Sequence, residues 1–240
     1  LDADLYENWT DVSGFLSADP RIVQNPRAIG RITFDEMREL SYMGASVLQE
    51  EAIFPVREAN IPIQIKNTNR PEDVGTVIRE TADGDTSEHL ITGIAGKKDF
   101  LAIHVKKAHM SNEVGVISRA LNIVERYGVS VEHIPTGVDS FGIVVNASDV
   151  KDTVYSIISD IRREIEPDDI TMVDRLALVS VVGRNMSRRS GTSGKIFGAL
   201  GNAGVNIRMI TQSSEEISII VGVDNADFDR TIGVIYNGFV

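Results

Sequence analysis

The chain contains no cysteine, which excludes a disulfide framework and a zinc–thiolate centre. It has no apolar run approaching the roughly 20 residues needed to cross a bilayer, so no membrane-spanning helix is expected. Basic residues are in short supply. Against 35 Asp and Glu stand 24 Lys and Arg, a formal net charge of −11, and such a surface repels phosphate backbones and anionic lipid headgroups. Neither a nucleic acid nor a membrane is an expected partner. No export signal is evident, and with the missing thiols this makes a reducing cytoplasm the expected compartment. What remains is ordinary globular material: 240 residues, 42% hydrophobic and 25% charged, enough to bury a core as one large domain or two to three small ones.

An internal repeat organises most of this length. The segment Gly128-Val129-Ser130-Val131 returns 76 residues later as Gly204-Val205-Asn206-Ile207. At the same offset, without a gap, Met110-Ser111 falls on Met186-Ser187, Gly115 on Gly191, Leu121 on Phe197, Val124 on Leu200 and Ile134 on Ile210. Phe141 to Val145 likewise falls on Ile217 to Val221.

In the first copy, alternation over Phe100 to Lys107 predicts a strand, and Val114, Ile117, Leu121 and Val124 at helical spacing predict a helix after a turn near Ser111-Asn112. Gly128 is placed to stop it. Strands are expected at Val129 to Ile134 and Phe141 to Asn146, about a turn at Gly137-Val138-Asp139. A helix from Lys151 to Glu164 then buries Val154, Ile157, Ile158, Ile161 and Ile165 and ends before Pro167. A short strand, Ile170 to Val173, closes the order βαββαβ, that of the ferredoxin-like sandwich.

The second copy gives a strand at Leu176 to Val182, a helix at Lys195 to Ala203, strands at Val205 to Thr211 and Ile217 to Val223, and a helix from Ala226 to about Asn237 capped by Asp224. Its closing strand is missing downstream, and an open place in a sheet leaves backbone donors and acceptors unpaired. Leu90 to Gly96 is the spare strand. The expected fold is therefore α+β with two interleaved domains, residues 99–174 inserted into a second domain made of 89–98 plus 175–240.

Residues 1–85 have another texture. A helix is predicted from Asp35 to Leu48, entered from Thr33 with Phe34, Met37, Leu40, Ser41, Ala45 and Leu48 on one side, and a strand at Ile61 to Lys66. This is part of an α/β domain, too short to close a doubly wound sheet, and Thr81 to Glu88 is the expected linker.

Most chemical leads dissolve on inspection. Gly194-Lys195 suggests a phosphate loop, but Arg189 and Ile196 stand where a glycine and a hydroxyl belong. Gly198, Gly201 and Gly204, spaced three apart, suit tight helix packing rather than a dinucleotide turn. Asp224, Asp227 and Asp229 suit a helix start, not a calcium loop. Arg184, Arg188 and Arg189 read as a solvated basic turn. His89, His104, His109 and His133 form no i, i+4 metal pair, and His104 and His133 are expected on or beside sheet surfaces. No catalytic residue and no metal ligand is assigned. The residues alone describe a ligand-binding or dimerising double module behind a truncated domain.

Thr10 to Val23 reads TDVSGFLSADPRIV. This resembles the aspartate kinase family, in which T-D-V-x-G-x-Y-T-A-D-P-R-x-V contributes to the nucleotide pocket of an amino-acid-kinase fold. The likeness continues through FDEMRELSYMGASVLQEEAI and IPIQIKN, and the tandem repeat resembles the family's paired ACT domains, GVNIRMITQSSEEISI the second of them. The resemblance implies residues 1–85 as the end of the kinase domain, and a parent enzyme that phosphorylates the β-carboxylate of L-aspartate with ATP and Mg. Nothing is expected to be tightly bound in this chain. It implies Thr10 and Asp11 against the nucleotide and Arg21 at its phosphate or ribose side, with a guanidinium fork supplying charge-assisted hydrogen bonds. Leu16 replaces the family's usual tyrosine, and Ser46 stands where many members carry lysine, so neither brings the stacking surface or the positive charge. The family's N-terminal K-F-G-G-T motif is not in this sequence. Phosphoryl transfer depends on positioned positive charge, so the chain alone is expected to be inactive, a fragment or cleavage product beginning at Leu1.

The resemblance also implies an effector site in the first copy, at a dimer contact. Its matching positions are Met110, Glu113, Gly115, Val116 and Ile117 on the loop and helix start, and Ser130, Val131, Glu132, Gly137 and Val138 on and after the strand. Helix-start amides near Gly115 would receive an α-carboxylate, while Glu113 and Glu132 would hold ammonium groups, favouring lysine over threonine. The implied function is feedback control of an aspartate kinase that works as a homodimer through its ACT domains. The alternative is a separate ACT-type sensing subunit without catalysis.

Overall fold

The computed structural model describes residues 3–45, 47–48, 50–81, 89–186 and 189–239. In chain order the elements are β1 (Tyr6–Thr10), β2 (Arg31–Thr33), α1 (Phe34–Tyr42), α2 (Glu50–Glu58), β3 (Ile63–Asn67), β4 (Thr76–Arg79) and β5 (Gly93–Lys106). Then come α3 (Val116–Arg126), β6 (Ser140–Asn146), α4 (Val154–Ile165), β7 (Asp169–Val182), α5 (Thr192–Asn202), β8 (Met209–Gln212), β9 (Ser218–Asp224) and α6 (Phe228–Phe239). They form two compact units, Lys98–Ala177 on the one hand and Leu1–Lys97 with Leu178–Val240 on the other. The two 14-residue strands β5 and β7 each have one end in either unit.

In Lys98–Ala177, β5 pairs antiparallel with β6 from Phe100↔Asn146 to Lys106↔Ser140, and the strand order is β6-β5-β7. Helix α4 buries Val154, Ile157, Ile161 and Ile165, as its spacing predicts, with Ile158 packed at the margin. Helix α3 is rotated from the expected face. Its core residues are Val116, Ala120, Ile123 and Val124, while Val114 precedes the helix at 93% exposure and Ile117 and Leu121 are only half-buried. The sequence thus carries two apolar stripes on α3, and the core uses the one containing the small Ala120. Gly128 ends the helix at φ +68°, a conformation free of Cβ strain only for glycine.

The expected strand Val129 to Ile134 is irregular. Only His133 bridges to Val144, and the Val144 carbonyl accepts from both Glu132 N (2.8 Å) and His133 N (3.5 Å). Two residues facing one is the signature of a bulge, and Pro135, which accepts from Gly142 N at 2.8 Å but has no N–H to return, interrupts the ladder before Thr136 bridges to Phe141. The two strands expected at Ile170 to Val173 and Leu176 to Val182 are one, β7, with Arg175 left-handed at φ 51° between them. Asp99, 76 residues earlier in β5, is likewise left-handed at φ 68°.

In the other unit, β1 and β3 run parallel from Tyr6↔Ile63 to Thr10↔Asn67, β2 and β4 run parallel, and β3 and β4 are antiparallel, giving the order β1-β3-β4-β2. Ile63, Ile65 and Ile78 are fully buried on one face of this sheet. Helix α1 starts with a complete capping box between Thr33 and Glu36. It stops at Tyr42, not Leu48, because Gly44 turns left-handed and the bonds Gly44 N to Ser41 O (3.0 Å) and Ala45 N to Leu40 O (2.9 Å) close a Schellman motif. Helix α2 has no counterpart in the sequence reading and holds Pro55 within it.

The same unit holds the second copy of the repeat, with strand order β5-β7-β9-β8. Gly93–Lys97 lies next to the end of β7, and Thr92 N donates to Val182 O at 2.8 Å. Strand β8 begins only at Met209, four residues later than expected. The Asp224 side chain accepts from Ala226 N at 3.0 Å, as predicted, ahead of a 3-10 turn that leads into α6. Helix α5 buries Thr192, Ile196 and Leu200. Its glycines do not serve tight packing: a Cβ added at Gly194, Gly198 or Gly201 would meet nothing within 4 Å.

Candidate functional site

The segment singled out for the nucleotide is built around β1 and the loop after it. Thr10 closes β1, its carbonyl accepting from Thr68 N (2.8 Å) and Thr68 Oγ1 (3.0 Å), and its hydroxyl donates to Asp11 Oδ1 at 3.2 Å. Ser13 donates to Asp73 Oδ2 at 2.5 Å and accepts from Asn67 Nδ2 at 2.8 Å. Gly14 sits at φ +103°, where a Cβ would lie 2.2 Å from Thr76 Oγ1, so no larger residue fits this turn. Leu16 bridges to Ala28 and remains partly exposed. The side chain of Arg21 is 87% exposed and forks onto Asp19, with Nη2 to Oδ2 at 2.6 Å. That hydrogen bond holds the Asp19 carboxyl below the ordinary carboxylate range against the opposing effect of burial. No hydrogen bond joins Arg21 to Thr10 or Asp11. Ser46 lies outside the described residues, as do Arg188 of the basic turn and all of the expected linker but Thr81.

The effector positions fall into two groups. On the loop, Met110 and Val116 give their side chains to the core at 7% and 2% exposure, and Ile117 packs against it. Gly115 caps α3 from the left-handed region. Glu113 is committed locally, paired with Arg119 and, at 3.3 Å, with Lys107 Nζ. Desolvation pushes its carboxyl up, but the two cations outweigh this and hold it below the ordinary value. Gly137 and Val138 are exposed beyond the irregular strand.

The second group lines an open cavity of about 660 Å³ between α3 and residues 129–134. Ser130, Val131 and Glu132 are in its wall, joined by Leu121, Asn122, Glu125 and His133. Among the described residues the wall carries two carboxylates and no Lys or Arg. Nε2 of His133 is buried there without a hydrogen-bond partner. Burial depresses the imidazole below its ordinary value, with the Glu132 charge pulling the other way, so the ring is held toward its neutral form. Sequence reasoning passes over Asn122, Glu125 and His133 as wall residues. The available signal is Leu121, an apolar residue of the expected helix stripe that stays only half-buried and lines the cavity.

Residues 1–67 match the amino acid kinase family, and residues 179–239 match the ACT domain. Over 240 residues the chain is 40% identical to Aspartokinase 3 of Bacillus subtilis, covering 100% of this chain and 52% of that protein. The crystal structure of Clostridium acetobutylicum aspartate kinase, an allosteric enzyme, is 50% identical and matches at a TM-score of 0.93 over 100% of this chain and 54% of its own. A structure of aspartokinase alpha and beta subunits is 30% identical and matched over 97% of its length by 62% of this chain, at a TM-score of 0.55. The chain belongs to the aspartokinase family. It spans about half the length of the curated aspartokinase it matches from end to end. Escherichia coli aspartokinase III, solved with aspartate and ADP and again with lysine and aspartate, shares the fold at 23% identity, with TM-scores of 0.82 and 0.80. In this aspartokinase chain no group of His, Asp or Glu among the described residues is arranged to hold a metal ion, and no described helix is long and apolar enough to cross a membrane.

Proposed function

We propose that this chain is the C-terminal part of a cytoplasmic aspartate kinase and that it senses an end-product amino acid for feedback control. In the whole enzyme, ATP with Mg phosphorylates the β-carboxylate of L-aspartate. Thr10, Asp11, Leu16, Arg21 and Ser46 form one side of the nucleotide pocket, where the Thr10 hydroxyl and the solvent-facing Arg21 guanidinium suit phosphate oxygens. The regulatory part is two ACT domains, 99–174 inserted into 89–98 plus 175–240, behind the kinase remnant 1–85.

One observation carries the sensing role. The cavity beside α3 offers Glu125, Glu132 and the unpaired His133 Nε2, with no Lys or Arg among the described residues of its wall. Such a wall suits ammonium groups, and lysine brings two where threonine brings one. Glu132, in the cavity wall beside His133, carries the ammonium contact, while Glu113 holds the loop through Lys107 and Arg119. Met110, Gly115, Val116 and Ile117 then contribute backbone and packing at the loop. Gly137 and Val138 lie at the expected contact with a second copy of the chain, and the strong exposure of Val114 and Val138 (93% and 74%) supports that pairing.

Calorimetric titration of the chain with lysine, threonine and methionine tests this reading. Saturable binding with lysine tightest is expected. Absence of binding by all three refutes the sensor, and a preference for threonine or methionine refutes the lysine assignment.

A further inference from the structure

Both chain crossings between the two units end on the same buried carboxylate. Glu36, at 0% exposure, serves the capping box of α1, a role that needs no burial. Its Oε1 accepts from Thr92 Oγ1 at 2.6 Å and from Arg184 N at 3.0 Å. Its Oε2 accepts from Arg184 Nη1 at 2.8 Å and from Thr33 N at 3.0 Å. Thr92 is the residue before β5, and Arg184 is the second residue after β7. These are the two strands that pass into Lys98–Ala177. Two residues after Thr92, Ile94 N at the head of β5 donates to Ser17 O at 2.8 Å, inside the TDVSGFLSADPRIV segment.

The repeat does not require this arrangement. The position equivalent to Arg184 in the first copy is Ala108, whose N–H donates to Asp168 at 2.5 Å. A sealed carboxylate cannot be left without its donors except at high cost. Displacement of either strand end must therefore carry Glu36, and with it the first turn of α1, rather than simply loosen the contact.

We propose that Glu36 is the coupling residue of the chain, a positioning residue that ties amino-acid occupancy of the first ACT copy to the setting of α1 and of the Thr10 to Val23 segment. The inference rests on the sensor reading above. In this scheme Arg184 and Thr92 transmit, Glu36 receives, and the nucleotide-side segment responds through Ser17.

Hydrogen exchange read by mass spectrometry on the full chain, with and without saturating lysine, is the test. In the unsubstituted chain lysine slows exchange across residues 34–42 roughly fivefold or more, the lower end of ordinary coupling strengths. In Glu36→Gln the lysine affinity stays within about threefold while the response of 34–42 disappears. Should that variant fold poorly, Arg184→Gln, whose side chain is 21% exposed, gives the same loss from the transmitting side. A merely structural contact shifts exchange equally with and without lysine and leaves the ligand-dependent difference intact. That result overturns the proposal, as does a chain that binds lysine with no response in 34–42. If the unsubstituted chain binds no amino acid, it is the sensor reading that fails, and the coupling falls with it.

Discussion

The two copies of the repeat share a backbone and differ in what their loops hold. Seventy-six residues apart, Gly115 and Gly191 cap their helices from the left-handed region, Gly128 and Gly204 end them, and Asp99 and Arg175 bend their first strands. Met110 and Met186 are both buried under the loop. Beyond that frame the copies part. In the first, the loop is held by its own neighbours, Lys107, Arg119 and Asp168, and the far side of α3 opens onto an acidic cavity. In the second, the loop is gripped by Glu36 through Arg184, and α5 presents bare glycine to open space. A duplicated frame can thus hold a ligand-binding copy and an anchoring copy, the distinction lying in a few side chains rather than in the fold.

The comparison is broken most severely at the anchor. Glu36→Ala removes the buried carboxylate to which Arg184 Nη1 and Thr92 Oγ1 donate, a loss of about 3–5 kcal/mol. Urea unfolding followed by hydrogen exchange should place that loss in the unit containing the second copy and spare Lys98–Ala177. Ile161→Ala does the reverse. It opens a cavity in the core of the first copy, where Ile161 is 0% exposed, and costs about 2–5 kcal/mol, read as a lower denaturant midpoint for Lys98–Ala177 alone. Gly198→Ala fills empty space on α5 and should stabilise by about 1 kcal/mol through helix propensity. A loss of stability there would show that the glycine face is packed after all.

The smallest effect concerns pH and belongs to the first copy. The folded-state pKa of His133 lies below its unfolded value of about 6.5. Its contribution to stability is therefore complete above pH 6.5 and declines as pH falls below that, because the unfolded chain takes up the proton first. The melting temperature of Lys98–Ala177 should drop on acidification through this window, and His133→Gln should flatten the dependence. In the second copy the position equivalent to His133 is Met209, which does not titrate, so that copy should not share the trend.

Much of the frame was legible in the sequence because it is written in local periodicity. The buried stripe of α4, the stop at Gly128 and the cap at Asp224 each depend on residues a few positions apart. The bulge at Glu132 and His133 was not, because it arises from how Val144 is shared across the sheet and from Pro135 next to it. The face of α3 was misjudged because two apolar stripes competed, and local spacing does not say which one the core takes. Of the effector residues read from resemblance, Ser130, Val131 and Glu132 fall in the cavity wall, while Met110 and Val116 are spent in packing. The Glu36 to Arg184 contact joins residues 148 positions apart. It leaves no local trace, since Glu36 already has a sufficient reason to exist as a capping-box residue.

The sensing role of the acidic cavity is tested most directly by titrating lysine into the chain and into Glu132→Gln side by side. A charge-assisted contact to the Glu132 carboxylate predicts saturable binding that weakens roughly tenfold or more in the variant. Equal affinity in the two proteins, or no binding by the unsubstituted chain, would contradict the account.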